Sequence, residues 1–195
     1  MRFFRFKQRS KWIDFLLGIF IVLLIIPQTG RPIQIGINKL KLLVWSPNVE
    51  SADSRIQIQP FTYHLKNLEQ QNEAVPIGNG QPTFLSFWAT WCAPCVAELP
   101  SIDALHQDYG DALNFVLVTR ETPEVVNRFL HKKGYTLPVY FPFSQLPETL
   151  QSNSIPTNFL IDGKGNILIK ETGAANWNSK KVREVLDELI QTKDD

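Results

Sequence analysis

The hydrophobic positions of this chain fall into three regimes. Residues 15–26 are an apolar run of twelve with no charged or polar side chain. Residues 31–55 show no lasting period. From about residue 56 onward, short apolar runs alternate with stretches whose apolar positions recur at helical spacing. Residues 84–88 and 114–119 are compact apolar runs that predict buried strands, and 137–141 predicts a third. Residues 56–65 and 73–77 predict an opening hairpin, and 158–161 with 167–171 a second one across Asp162-Gly163-Lys164-Gly165. Helices are predicted at 92–107, 123–132 and 179–191, with a short one at 147–151. Thr122 and Pro123 suit the N-cap and first helical position of the second. Val182, Val185, Leu186, Leu189 and Ile190 share one face of the last. In the first helix Leu99, Ile102 and Leu105 keep helical register across Pro100, which predicts a kink rather than an end. The fold class is therefore α/β, a central mixed sheet flanked by helices.

The first regime reads as a membrane signal. Arg2, Arg5, Lys7, Arg9 and Lys11 precede it with no acidic residue among them. No small-x-small cleavage site follows closely, since the chain continues Pro27-Gln28-Thr29-Gly30-Arg31. Between Lys11 and Arg31 lie nineteen residues, about 28 Å of helix. With both cations snorkelling, that nearly spans a hydrocarbon core of ~30 Å. The expected arrangement is an uncleaved signal anchor over 1–30, with the N-terminus cytoplasmic by the positive-inside rule and the rest of the chain outside. Residues 31–55 are expected to be a juxtamembrane connection, either a plain linker or, over 39–45, a segment lying on the membrane surface. Residues 56–195 are long enough for one core and form the expected catalytic domain.

From residue 31 on there are 15 basic and 18 acidic residues, a net charge of −3, which is no nucleic-acid footprint. No phosphate-binding glycine loop and no internal repeat is present.

The chemistry concentrates in Trp91-Cys92-Ala93-Pro94-Cys95, which holds the only two cysteines of the 195 residues. A strand that ends at C-x-x-C and runs into a helix suits thiol–disulfide exchange. The first cysteine then meets the unpaired N–H groups and positive dipole end of the helix, which favour its thiolate. Cys92 is the expected nucleophile and Cys95, one turn on, the resolving thiol of a redox-active Cys92–Cys95 pair. A purely structural disulfide would close too small a loop to restrain the unfolded chain much. A zinc site would need two more ligands, and His64, His106 and His131 have no matching spacing. No metal and no cofactor is expected. Arg120 and Glu121 end the second buried strand; the default reading is an exposed loop pair, the alternative a partner contact.

Residues 84–95, followed by Glu98-Leu99-Pro100, resemble the thioredoxin superfamily, and in particular its TlpA/ResA/CcmG branch of membrane-anchored thiol–disulfide oxidoreductases. Residues 155–167, Ile-Pro-Thr-Asn-Phe-Leu-Ile-Asp-Gly-Lys-Gly-Asn-Ile, resemble the family's cis-proline strand and the hairpin after it. The resemblance covers about 56–190. It implies a thioredoxin-like sheet with an N-terminal hairpin and an added βα unit at about 114–141. It implies a cis bond before Pro156, which would aim Ile155 at the disulfide, and client contacts at Trp91, Pro94, Ile155 and Pro156. Ser86 stands where thioredoxin has a buried aspartate, and Glu98 matches the glutamate that this branch carries three residues after the second cysteine, with a role in moving the proton of the resolving thiol. The implied partners are disulfide-bearing client proteins such as apocytochrome c and a membrane electron transporter of the DsbD/CcdA type, in a mainly reductive role outside the cytoplasm. The alternatives are a disulfide-forming oxidant and a non-catalytic binding or chaperone module on the same scaffold.

Overall fold

The computed structural model describes residues 11–25 and 27–191. The basic residues 2–9 and Ile26, on which part of the membrane reading rests, lie outside the described residues. In chain order the elements are α1 (Lys11–Ile25), α2 (Pro27–Leu42), β1 (Phe61–Lys66), β2 (Asn72–Ile77), β3 (Thr83–Phe87), α3 (Ala93–Tyr109), β4 (Asn114–Val118), α4 (Pro123–Lys133), β5 (Val139–Pro142), β6 (Thr157–Ile161), β7 (Ile167–Thr172) and α5 (Lys180–Gln191). Seven strands form one mixed sheet in the order β2-β1-β5-β4-β3-β6-β7. β3 is parallel to β4 and antiparallel to β6, and β4 is parallel to β5. The expected thioredoxin-like arrangement, with its opening hairpin and β4-α4-β5 unit, is what the chain forms.

The period of two along the central strands sorts the core. Phe84, Phe115, Leu117 and Leu160 face one side, where Leu99, Ile102 and Leu105 of α3, Val126 and Leu130 of α4, and Val182 and Leu186 of α5 pack with them. Trp177, fully buried, meets Phe84 edge-on at 4.9 Å between ring centroids. Leu85, Val116, Val118, Phe159 and Ile161 face the other side and pack with Tyr63, Leu65 and Ile77 of the hairpin and with Ile58 and Leu150. Ser86 has the parity of Phe84 and Asn158 that of Leu160, so both strand residues belong to the side that carries α3.

Local chemistry sets the ends of the elements. α4 starts at Thr122 and Pro123 as expected and stops at Gly134, whose φ of 72° allows its N–H to turn back onto Leu130 and His131. α3 continues through Pro100, as the register predicted. The expected short helix at 147–151 is one 3₁₀ turn, Glu148–Leu150. The opening strand begins at Phe61 rather than at residue 56, because Pro60 has no N–H for a ladder. Residues 56–58 instead run beside the turn after β6: Ile58 N–H donates to Gly165 O at 2.8 Å and Ile167 N–H to Ile56 O at 2.9 Å.

The segment read as a connection carries a helix that its pattern did not predict. α2 lies against α3, with Leu42 and Ile35 packed on Ala97 and Ala174. Beyond it, Asn176 N–H donates to Trp45 O, Trp45 Nε1 to Glu171 Oε1, and Glu50 N–H to Leu168 O. These bonds run the chain along β7 before it enters the sheet. α1 exposes Trp12, Phe15, Leu16 and Phe20 to at least 48%. Its fifteen residues measure about 22 Å, and among the described residues no helix is long and apolar enough to cross a membrane.

Gly165 has a φ of +85°, and a Cβ there would lie 2.5 Å from Ile58 O. Gly165→Ala is expected to lower stability by about 1–3 kcal/mol in urea unfolding. Gly36→Ala, in α2 with nothing within 4 Å of the added carbon, is expected to leave stability unchanged or raise it by up to about 1 kcal/mol.

Candidate active site

The end of β3 and the start of α3 create the site. Past Phe87, Trp88 N–H still bonds to Val118 O, continuing the β3–β4 ladder by one step. Trp88 is core, 3% exposed. The chain then turns: Cys92 N–H donates to Ala89 O at 3.2 Å, and Cys92 takes the N-cap position of α3. Pro94 in the first turn suits an N-terminus because its missing N–H would have no partner there. Cys92 and Cys95 form a disulfide with their α-carbons 5.2 Å apart. Cys95 N–H points at Cys92 Sγ, 3.2 Å away. That donor and the aligned peptides of α3 place positive potential on the sulfur of Cys92. What exposure the pair has belongs to Cys92, at 5% against 0% for Cys95.

Glu98 follows one turn inside the helix and is fully buried. Asn158 Nδ2 donates to its Oε1 at 2.9 Å, and Ala175 N–H to its Oε2 at 3.1 Å. Asn158 is the cross-strand partner of Ser86. The strand position that thioredoxin fills with an aspartate is thus a serine here, and its neighbour's amide holds a carboxyl delivered from the helix instead. Burial dominates the titration of Glu98 and raises its pKa from 4.5 to about 8, against the opposing effect of the two hydrogen bonds. The Trp177 indole also favours the carboxylate, though its N–H forms no hydrogen bond of good geometry. Near neutral pH this group is largely an uncharged acid with a proton affinity close to that of a thiol.

The remaining expected site residues divide. Trp91, 61% exposed, and Ile155 line an open groove of about 690 Å³ together with Arg120, Glu121, Tyr63 and Ser152. Pro94 and Pro156 are not on its wall. The Ile155–Pro156 bond is cis, as the resemblance implied, and Pro156 is buried at the start of β6. Asn158 and Ala175 were not singled out as functional from sequence. Asn158 lies inside the cis-proline block, but only the pairing of β3 with β6 brings it under the site. Glu121, read as half of an exposed loop pair, accepts from Thr90 N–H at 2.5 Å and from Thr90 Oγ1 at 2.7 Å.

The raised pKa of Glu98 has a consequence for stability. A carboxyl that binds its proton more tightly when folded stabilises the fold fully below pH 4.5, and that contribution is lost as pH rises through about 8. Wild-type unfolding free energy is expected to fall across this window by up to about 5 kcal/mol relative to Glu98→Gln. Urea titrations of both proteins at pH 5 and pH 9 check it; parallel pH dependences would show that the group is not held as a buried acid.

Comparison with known proteins agrees with the geometry. The sporulation thiol-disulfide oxidoreductase A of Bacillus subtilis (strain 168) is 28% identical over 166 residues, which covers 82% of this chain and 99% of that protein. The thiol-disulfide oxidoreductase ResA of Halalkalibacterium halodurans is 28% identical over 118 residues, 59% of this chain and 67% of that one. The crystal structure of StoA from Bacillus subtilis superposes with a TM-score of 0.52 at 28% identity, over 67% of this chain and 97% of that one. The AhpC/TSA family profile matches residues 58–169, and with that match extending from the strand-entry segment into β7, the chain belongs to the AhpC/TSA family of thioredoxin-like proteins.

Proposed function

We propose that this protein is a thiol–disulfide oxidoreductase that exchanges disulfides with protein clients through Cys92 and Cys95. The observation that carries the reading is a cysteine pair closed across the first turn of α3, with the more accessible sulfur at the helix N-terminus and a buried acid one turn below the other. The relatives' names as oxidoreductases support it.

In the reductive direction the Cys92 thiolate attacks a client disulfide. One S–S bond forms between Cys92 and the client, and the client's other sulfur leaves as a thiolate that takes up a proton. Cys95 then loses its proton to the ionised fraction of Glu98 and attacks the Cys92 sulfur. The Cys92–Cys95 bond forms, the mixed disulfide breaks, the client's second sulfur leaves as a thiolate and takes up a proton, and the client departs as a dithiol, two electrons richer. Burial raises the Glu98 pKa to about 8, which makes its carboxylate a stronger base than an ordinary glutamate and suits it to accept a thiol proton. The groove beside Trp91 and Ile155 is the client-binding surface, with Pro94 and Pro156 shaping the two segments that border the sulfur. The absence of a histidine between the cysteines supports reduction over oxidation.

The exposed apolar surface of α1, preceded by five cations, supports attachment to a membrane with the catalytic domain outside the cytoplasm. Within this proposal residues 1–30 are the anchor, 31–55 the connection, docked along α3 and β7, and 56–195 the catalytic domain. Clients such as apocytochrome c and a DsbD/CcdA-type membrane donor of electrons fit such a placement.

Cys95→Ser is expected to trap mixed disulfides with clients, visible as dithiothreitol-sensitive adducts on non-reducing gels, while Cys92→Ser traps none. Trapping by the second variant alone would exchange the two roles. Wild type is expected to accelerate insulin reduction, and a null result there would favour a binding module. Fractionation is expected to keep the full-length chain with membranes after alkaline carbonate.

A further inference from the structure

The loop that presents Cys92 is held at one residue from two sides. Thr90 has three polar groups, and two charged side chains from different parts of the fold engage them all. Its N–H and hydroxyl both donate to the Glu121 carboxylate, at 2.5 and 2.7 Å. Its carbonyl accepts from Arg31 Nη2 at 2.8 Å. Glu121 lies just past the end of β4, and its side chain takes over where the β3–β4 ladder stops at Trp88. Arg31 comes from α2, a helix that the Ile35 and Leu42 contacts press against α3, and it lies outside the residues 58–169 that define the family match. Disulfide exchange as such requires neither contact.

We infer that Arg31 and Glu121 are positioning residues for the Cys92 nucleophile, and that through Arg31 the N-terminal helix α2 is part of the redox site rather than only a tether. The inference rests on the oxidoreductase reading of the cysteine pair. Thr90 is two residues from Cys92, at most about 7 Å between α-carbons, and the Cys92 N–H is already turned back onto Ala89 O. A carboxylate and a guanidinium fixed on Thr90 therefore act on the Cys92 sulfur from on the order of 10 Å, a two-residue span plus the reach of the contacts. The cation favours the thiolate and the anion opposes it, while their shared grip sets where the sulfur sits. The other charged groups that bear on Cys92 are Glu98, below the pair in α3 with Glu171 acting on it in turn, and Arg120 in the groove beside Trp91. Neither contacts Thr90.

A purely structural clasp and a positioning one differ in sign. If the contacts only brace the loop, losing either one loosens the helix N-terminus and moves the Cys92 titration in the same direction. If the charges act as inferred, the two losses move it in opposite directions. The test uses the full-length chain in detergent micelles at low ionic strength, in a Cys95→Ser background so that one thiol titrates. The rate of iodoacetamide alkylation is followed against pH. Arg31→Gln is expected to raise the Cys92 midpoint and Glu121→Gln to lower it, each by about 0.3 unit, with Arg31→Lys restoring the wild-type value. Shifts of the same sign in both variants, or none, would overturn the inference. Should Glu121→Gln lose its near-ultraviolet circular dichroism, the exposed Arg31 decides alone: a rise with Gln and rescue with Lys supports the inference, and equal midpoints for all three overturn it. Insulin reduction by the chain with both cysteines intact judges the oxidoreductase reading separately, since the alkylation midpoints need no turnover.

Discussion

A carboxyl group with no exposure to water is the constraint on which the site depends. Glu98 is carried by α3, bound by Asn158 from β6 and capped by the backbone of Ala175 beyond β7. Ionised and unpartnered in that place it would cost several kcal/mol. The structure answers by raising its proton affinity and by bringing two donors to it. The same bonds tie the active-site helix to β6 and to the segment after β7 on one side of β3, while the turn at Trp88 ties its approach to β4 on the other. The position of the cysteines is thereby over-determined, which disulfide exchange requires, since attack on a sulfur depends on approach and access as well as on thiolate fraction.

The parity of the strands explains how the acid reaches its place. β3 is buried on both faces, so a charged side chain on it would have to find a partner on its own side. Ser86 is the small residue on the α3 side, and it leaves that side of the sheet without a charge of its own. Asn158 across the ladder supplies the amide that Glu98 needs. Helix and strand thus together hold a buried carboxyl one helical turn from Cys95. The helical origin also places the acid three residues after Cys95, on the same helix face.

The N-terminal segment has a larger structural part than its composition suggests. Its mixture of lysines, leucines and a proline reads as connection or surface helix, yet α2 is docked by a few small contacts: Ala97 and Ala174 are small enough to let a helix approach α3. Nothing in the period of residues 27–42 announces this, because the docking surface belongs to residues far along the chain. The hydrogen bonds of Trp45 and Glu50 to β7 and its flanks are equally invisible until that strand is placed.

Much of the site was legible all the same. The C-x-x-C after an apolar run, proline at the helix start, the parallel β4-α4-β5 unit and the terminal hairpin and helix all follow from local periodicity and local backbone chemistry, and all formed where the pattern placed them within a few residues. The spacing of Cys95 and Glu98 put both on one helix face by helix geometry alone. What only the tertiary structure decided is whether that face points into the core, which turns Glu98 from an ordinary surface carboxylate into a buried acid. It also decided that Asn158 lies beneath it and that Arg31 and Glu121 meet at Thr90. These are contacts between residues 31 to 60 positions apart in sequence. Periodicity reports which way a side chain faces within its own element, whereas a contact between elements depends on strand order and helix docking, which the balance of the whole core sets.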